Sequence, residues 1–294
     1  MIAIVTDSTS DISQELAGKT GIAVVPLTVI FGEEQLLDGV DIQKDDFYPR
    51  LAAAAELPHT SQPSPHDFSL AYKAAFEKGA EHVFSLHITA GLSGTLQSAQ
   101  LAAADFEDRV TVVDSLSVSS GLKLFVLEAA RLAEEKVGKD ELRAELELLK
   151  KRIAIYVTLD TLTYLQKGGR IGRAQAFVGG VLKVKPMLLV SDGVITPYQR
   201  VRSLSQGMSE MLRAVRELGT PVRLRAMHSA VPKEAEAWLA MVTDAFPGVP
   251  VELDEVGPVI GTYAGPGALG LACLTAAPAG TAALGTTSSD DTLG

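Results

Sequence analysis

HVFSLHITAGLSGTLQSA, residues 82–99, changes its hydrophobic period within a few positions. Val83 to Ile88 is a run of strand formers. Thr89-Ala90-Gly91-Leu92-Ser93-Gly94-Thr95 is a turn of small residues, and the Ala/Leu/Gln pattern that follows is that of a helix. Strand, tight turn and helix in that order aim the first amides of a helix at whatever lies beyond the strand's end. Those amides lack partners inside the helix and carry partial positive charge, so they attract anions. Ser93 and Thr95 add hydroxyls at the same place. Ser93 also reads as a plain N-cap, the usual task of serine at a helix start; the local sequence leaves both readings open. A nucleophile elbow is ruled out, because G-x-S-x-G needs glycine where Thr95 stands.

The same alternation extends outward. Ala3 to Thr6 reads as a buried strand, followed by Asp7-Ser8-Thr9-Ser10-Asp11 and a helix from Ser13 to Lys19. Ile22 to Phe31 is expected as a second strand, Gly32 to Asp38 as an edge hairpin and Lys44 to Ala55 as a helix. Pro58 to Pro65 is a polar loop with a helix beyond it to Lys78. Val110 to Val113 is a strand ending at Asp114-Ser115, and two helices cover Val118 to Val137 and Lys139 to Arg152. This predicts an α/β domain over residues 1–150, a mostly parallel sheet with helices on both faces. Ligands bind beyond the carboxyl ends of such strands. The clusters Asp7-Ser8-Thr9, Thr60-Ser61, Ser93-Gly94-Thr95 and Asp114-Ser115 are therefore expected on one rim.

Beyond residue 150 the rhythm changes. Val184 to Val190 and Val194 to Tyr198 flank Ser191-Asp192-Gly193, a hairpin signal. Helices over Ser203 to Leu218 and Pro232 to Ala245 alternate with strands at Ile153 to Leu159, Val222 to His228 and Val249 to Val256. The expectation is an α+β domain over residues 151–275 on a mixed, partly antiparallel sheet. Residues 276–294 hold few large apolar side chains and read as a disordered tail.

Composition narrows the function. A single cysteine, Cys273, leaves no disulfide scaffold and fits a reducing cytoplasm. The opening MIAIVTDSTSD has no basic n-region, so no secretion is expected, and no apolar run reaches membrane-span length. A net charge of −10 argues against nucleic acid as partner. The five histidines show no metal-ligand spacing. Charge is unevenly spread: Thr161 to Arg216 carries nine basic residues against two acids, Asp192 and Glu210, a local excess of seven. Arg170 and Arg173 sit among glycines in Lys167-Gly168-Gly169-Arg170-Ile171-Gly172-Arg173, where backbone can approach a ligand closely. An anionic ligand or partner is the expectation. Gly257 to Gly270, GPVIGTYAGPGALG, is a second glycine-rich stretch that could present amides and Tyr263, with a helix start expected at Pro266. It is no P-loop, since no Gly-Lys-Ser/Thr follows.

Taken together and in order, several segments resemble the DegV family of bacterial fatty-acid-binding proteins. They are Ile4-Val5-Thr6-Asp7-Ser8-Thr9, Thr60-Ser61-Gln62-Pro63-Ser64-Pro65, Leu92-Ser93-Gly94-Thr95, Leu159-Asp160-Thr161-Leu162 and Lys167-Gly168-Gly169-Arg170-Ile171. Lys185-Pro186, Gly257-Pro258-Val259-Ile260-Gly261-Thr262 and Gly265-Pro266-Gly267 complete the set, which spans residue 1 to about 275. The resemblance implies two α/β domains and a long-chain fatty acid in an apolar tunnel, with no other cofactor. Its carboxylate would meet Thr60, Ser61, Ser93, the Gly94 amide and Arg170. Tyr263 stands where such proteins often carry histidine. The resemblance also implies a separate fatty acid kinase as partner, making acyl-phosphate for phospholipid synthesis, with Arg173 and Arg202 at the phosphate or partner surface and an anionic membrane as a transient contact. The resemblance thus implies a lipid-binding protein without catalytic residues of its own. The alternative is a hydrolase or transferase acting on a small carboxylated or phosphorylated substrate, with Ser93 as nucleophile or oxyanion group and Asp7 or Asp114 as acidic partner.

Overall fold

The computed structural model describes residues 1–178 and 184–277. Its first half runs β1 (Ile2–Asp7), α1 (Gln14–Thr20), β2 (Ala23–Val25), β3 (Thr28–Phe31), β4 (Glu34–Leu37), α2 (Lys44–Ala53), β5 (His59–Ser61), α3 (Pro65–Glu77), β6 (His82–His87), α4 (Thr95–Ala103), β7 (Val110–Asp114), α5 (Ser119–Glu134) and α6 (Lys139–Lys150). Four of these strands form a parallel sheet in the order β2-β1-β6-β7. β6 is buried at every position, which is why it reads as an unbroken apolar run rather than an alternating one. The α/β expectation holds.

Two local expectations do not. Ile22 to Phe31 is not one strand. Pro26 lacks the amide that a ladder needs, the Leu27 amide donates to Ser8 Oγ at 3.0 Å, and the chain turns away from the parallel sheet. β3 then pairs antiparallel with both β4 and β5 in a small separate sheet. The polar loop Pro58 to Pro65 accordingly contains a strand, and Thr60 is held opposite Val29.

The second half runs β8 (Ile153–Thr158), α7 (Thr163–Lys167), β9 (Lys185–Ser191), β10 (Val194–Val201), α8 (Leu204–Leu218), β11 (Pro221–His228), α9 (Pro232–Ala245), β12 (Val251–Glu255), α10 (Pro258–Ala264) and β13 (Leu269–Thr275). Its sheet has the order β10-β9-β8-β13-β11-β12, antiparallel except for the β11–β12 pair. The hairpin turns at Asp192 and Gly193, both at positive φ, as a two-residue turn requires. The glycine-rich stretch differs from expectation. The helix starts at Pro258, and none starts at Pro266. Gly265 (φ 69°) and Gly267 (φ 87°) flank Pro266 and swing the chain into β13.

α5 joins the two large sheets. It packs on β1 of the parallel sheet and on β8 and β13 of the mixed one. Leu122, Phe125, Val126 and Ala129 recur at helical spacing and are fully buried, in one core shared with Phe84 and Ile155. A buried ion cluster reinforces the joint: Lys123 of α5 donates to Asp254 Oδ1 at 2.7 Å, and Arg225 Nη2 donates to the same oxygen at 2.9 Å. Burial pushes the Asp254 carboxyl up, but the Arg225 hydrogen bond and the two cations outweigh it and hold it well below the usual range. The tail expected over 276–294 lies outside the described residues from 278 on.

Candidate binding cavity and its mouth

Between the sheets lies a cavity with about 940 Å³ of empty space, its open mouth included. Strand alternation makes its walls apolar. Ile155 and Val157 of β8 and Leu188 and Val190 of β9 are two apart, so each pair faces the same side and reaches the space. Ile195, Met227, Val259 and Ile260 close it from the other strands and from α10.

Four of the anticipated residues border this cavity: Thr60, Ser93, Arg170 and Tyr263. β5 and α10 bring the first and last together, and Thr60 Oγ1 and Tyr263 Oη share a 2.6 Å hydrogen bond. The Tyr263 ring lies against Gly168, where any Cβ would overlap it. That contact gives Gly168 its steric reason, while Gly169 sits at φ 73° with open space around it. The Arg170 guanidinium stands 5.0 Å from the centroid of the same ring, a cation–π distance, and its Nη1 donates to the Gly168 carbonyl at 2.8 Å. Its Nε donates to the Leu92 carbonyl at 3.3 Å, which ties it to the turn carrying Ser93. Ser93 Oγ accepts from the Thr95 amide at 3.2 Å and shares a 2.8 Å hydrogen bond with Thr95 Oγ1. The N-cap of α4 is Gly94, not Ser93.

Other anticipated residues are elsewhere. Ser61 is exposed and donates to the Gln62 carbonyl at 3.3 Å; neighbouring residues on a strand point to opposite faces, so β5 turns it away from Thr60. Gly94 lies under the Gln62 side chain, which leaves no room for a Cβ and donates onward to Ser98 Oγ at 3.0 Å. Arg173 and Arg202 are exposed and do not border the cavity. Part of the basic excess is taken up locally. Arg213 is paired with Glu210 and Glu217, and Arg216 covers Phe246. The expected common rim is also narrower, since Asp114 is occupied by the amides of Ala90 (3.1 Å) and Leu116 (2.8 Å).

Asp7 has a different task. His87 Nδ1 meets Asp7 Oδ2 at 2.9 Å and His87 Nε2 meets Ser85 Oγ at 2.6 Å, with the Tyr72 hydroxyl donating to that oxygen at 2.8 Å. The connectivity is that of a catalytic triad. All three residues are 0% exposed and none borders the cavity, so the chain is a buried polar tie between β1, β6 and α3. Neither Asp7 nor Asp114 is hydrogen-bonded to Ser93. Among the described residues no group of His, Cys, Asp and Glu could hold a metal, and no helix is long and apolar enough to cross a membrane. Sequence reasoning missed Ser119 and His228 as cavity residues and named Thr9 only within a rim cluster. Only Thr9 carried a signal, as part of a polar cluster after β1.

A family model described as "Uncharacterised protein, DegV family" matches residues 1–276. The chain belongs to the DegV family. A DegV domain-containing protein of Deinococcus radiodurans is 38% identical over 274 residues, covering 92% of this chain and 97% of the relative. Among solved structures, a DegV family protein from Thermus thermophilus, described for its fatty acid binding, aligns with a TM-score of 0.88 at 38% identity over 94% of this chain and 99% of its own. DegV of Bacillus subtilis, described as a fatty acid binding protein, aligns with a TM-score of 0.84 at 33% identity over 93% and 99%. The expected family and the two-sheet α/β architecture are both borne out.

Proposed function

We propose that this DegV family protein binds a long-chain fatty acid in the cavity and presents its carboxyl end to a separate kinase for acyl-phosphate formation. The observation that carries the reading is the convergence of Thr60, Ser93, Arg170 and Tyr263 on the mouth of a mostly aliphatic cavity. Burying a methylene contributes about 0.8 kcal/mol, so a chain of about sixteen carbons offers on the order of 10 kcal/mol before the cost of ordering ligand and protein. The apolar walls supply affinity. The rim sets direction: arginine stays cationic and forks onto carboxylate, and two hydroxyls and a phenol supply further donors. The exposed Arg173 and Arg202 then suit the phosphate and the partner, whose approach their charge would steer. The fatty-acid binding described for the Thermus and Bacillus proteins supports the same reading.

The test is mass spectrometry of an organic extract of protein purified from a heterologous host, followed by titration of delipidated protein with stearic and oleic acids. About one fatty acid per chain is expected. Protein that carries no lipid and takes up neither acid overturns the reading.

A further inference from the structure

The cavity wall has a second polar patch. Thr9, Ser119 and His228 border the cavity and are 0, 3 and 6% exposed, whereas Thr60, Ser93 and Tyr263 at the mouth are part-exposed and Arg170 is exposed. The three residues come from segments that are hydrogen-bonded to one another. Ser119 Oγ donates to Asp11 Oδ2, and Asp11 Oδ1 accepts the Gly257 amide at 3.0 Å. The adjoining Val256 amide donates to the His228 carbonyl at 2.8 Å. Thr9 precedes Asp11 in the same tight turn. The protons of the two hydroxyls are committed, Thr9 to Asp7 and Ser119 to Asp11, so what they can offer the cavity is lone pairs. His228 Nδ1 is buried with no hydrogen-bond partner among the described residues; the Glu255 carboxylate, at 3.9 Å, is beyond hydrogen-bond reach.

We propose that this wall is a specificity subsite for a hydroxyl carried on the acyl chain, which makes hydroxy fatty acids ligands of this protein. The inference rests on the acyl-binding reading above. Burial lowers the His228 pKa and favours the neutral ring, with one donor and one acceptor nitrogen. A hydroxyl has the same dual character. It can accept from the imidazole and donate to the lone pairs of Ser119 or Thr9. A methylene can do neither and would leave the buried imidazole desolvated and unpaired.

The probes are stearic acid and the positional series of monohydroxystearic acids, titrated into delipidated full-length protein. Wild type is expected to bind at least one positional isomer as tightly as stearic acid. His228→Leu should weaken that isomer about tenfold relative to stearic acid, the loss of one hydrogen bond, and Ser119→Ala should shift the ratio in the same direction. The wild-type ranking decides the matter even if both variants fold poorly. Stearic acid bound while every isomer is rejected overturns the subsite alone. Isomers that all bind alike, as they would if a displaceable water filled the patch, overturn it too. Failure of wild type to bind any of these acids overturns the acyl-binding reading and this inference with it.

Discussion

Tyr263 touches both of its functional neighbours, with its hydroxyl on Thr60 and its ring face under Arg170. Ser93 faces the same mouth from the turn before α4, and its hydroxyl also serves the backbone by accepting the Thr95 amide. These two tasks separate in the Ser93→Ala variant. Loss of one hydrogen bond to a carboxylate costs about 1.5–3 kcal/mol, so fatty-acid affinity should fall roughly 10- to 150-fold. The local backbone bond is partly exposed and contributes less. Titration and thermal melts on the same sample check this. Wild-type affinity combined with a large drop in melting temperature would make Ser93 a purely structural residue. Asp38 gives a second residue-scale expectation. Burial, and then the neighbouring Asp11 charge, push its carboxyl from an ordinary 3.8 up to about 7. The folded protein therefore keeps this proton after the unfolded chain has released it. The stabilisation is fully present below the unfolded value and is lost as pH rises through about 7. Asp38→Asn removes that dependence. Its melting temperature relative to wild type should rise between pH 5 and pH 8, each unit of pKa separation being worth about 1.4 kcal/mol. A constant difference across that range would show that Asp38 is ionised in the folded protein throughout.

At the scale of elements, the segment from α10 to β13 sets where Tyr263 stands. Pro258 starts the helix, and Gly265 ends it at φ 69°, with its α-carbon so close to the Tyr164 ring that a Cβ would overlap it. Gly265→Ala combines a strained left-handed backbone with an aromatic clash, and should destabilise the protein by about 1–3 kcal/mol. Denaturant unfolding measures this. Because Tyr164 must move and α10 carries Tyr263, fatty-acid affinity should fall in the same variant. Stability lost without any loss of affinity would show that the turn does not position the mouth.

For the whole molecule, α5 and its buried Lys123–Asp254–Arg225 cluster hold together the two sheets that form the cavity walls. The outward arginines are free of that task. Charge reversal at both Arg173 and Arg202 should leave bound fatty acid near the wild-type level, suppress its phosphorylation by a cognate kinase several-fold, and flatten the salt dependence of that reaction. A double variant that loses its fatty acid while keeping the salt dependence would assign these arginines to the pocket and move the docking face elsewhere.

Local periodicity was sufficient for β6, its turn and α4, for the parallel character of the first sheet and for the Asp192-Gly193 hairpin, because each depends on neighbours in sequence. Motif order was sufficient to identify the DegV family and to bring Thr60, Ser93, Arg170 and Tyr263 forward. Tertiary structure alone decided which of two adjacent residues faces the cavity. Thr60 and Ser61 are equivalent in composition, and only the pairing of β5 with β3 turns one inward and the other to solvent. It also decided which polar groups are satisfied. The hydroxyls of Thr9 and Ser119 and the imidazole of His228 come from the tight turn after β1, from α5 and from β11, and nothing local marks them as neighbours. Their shared wall exists because chain segments far apart in sequence close over one apolar space, and burial then makes every unpaired polar atom on that wall costly.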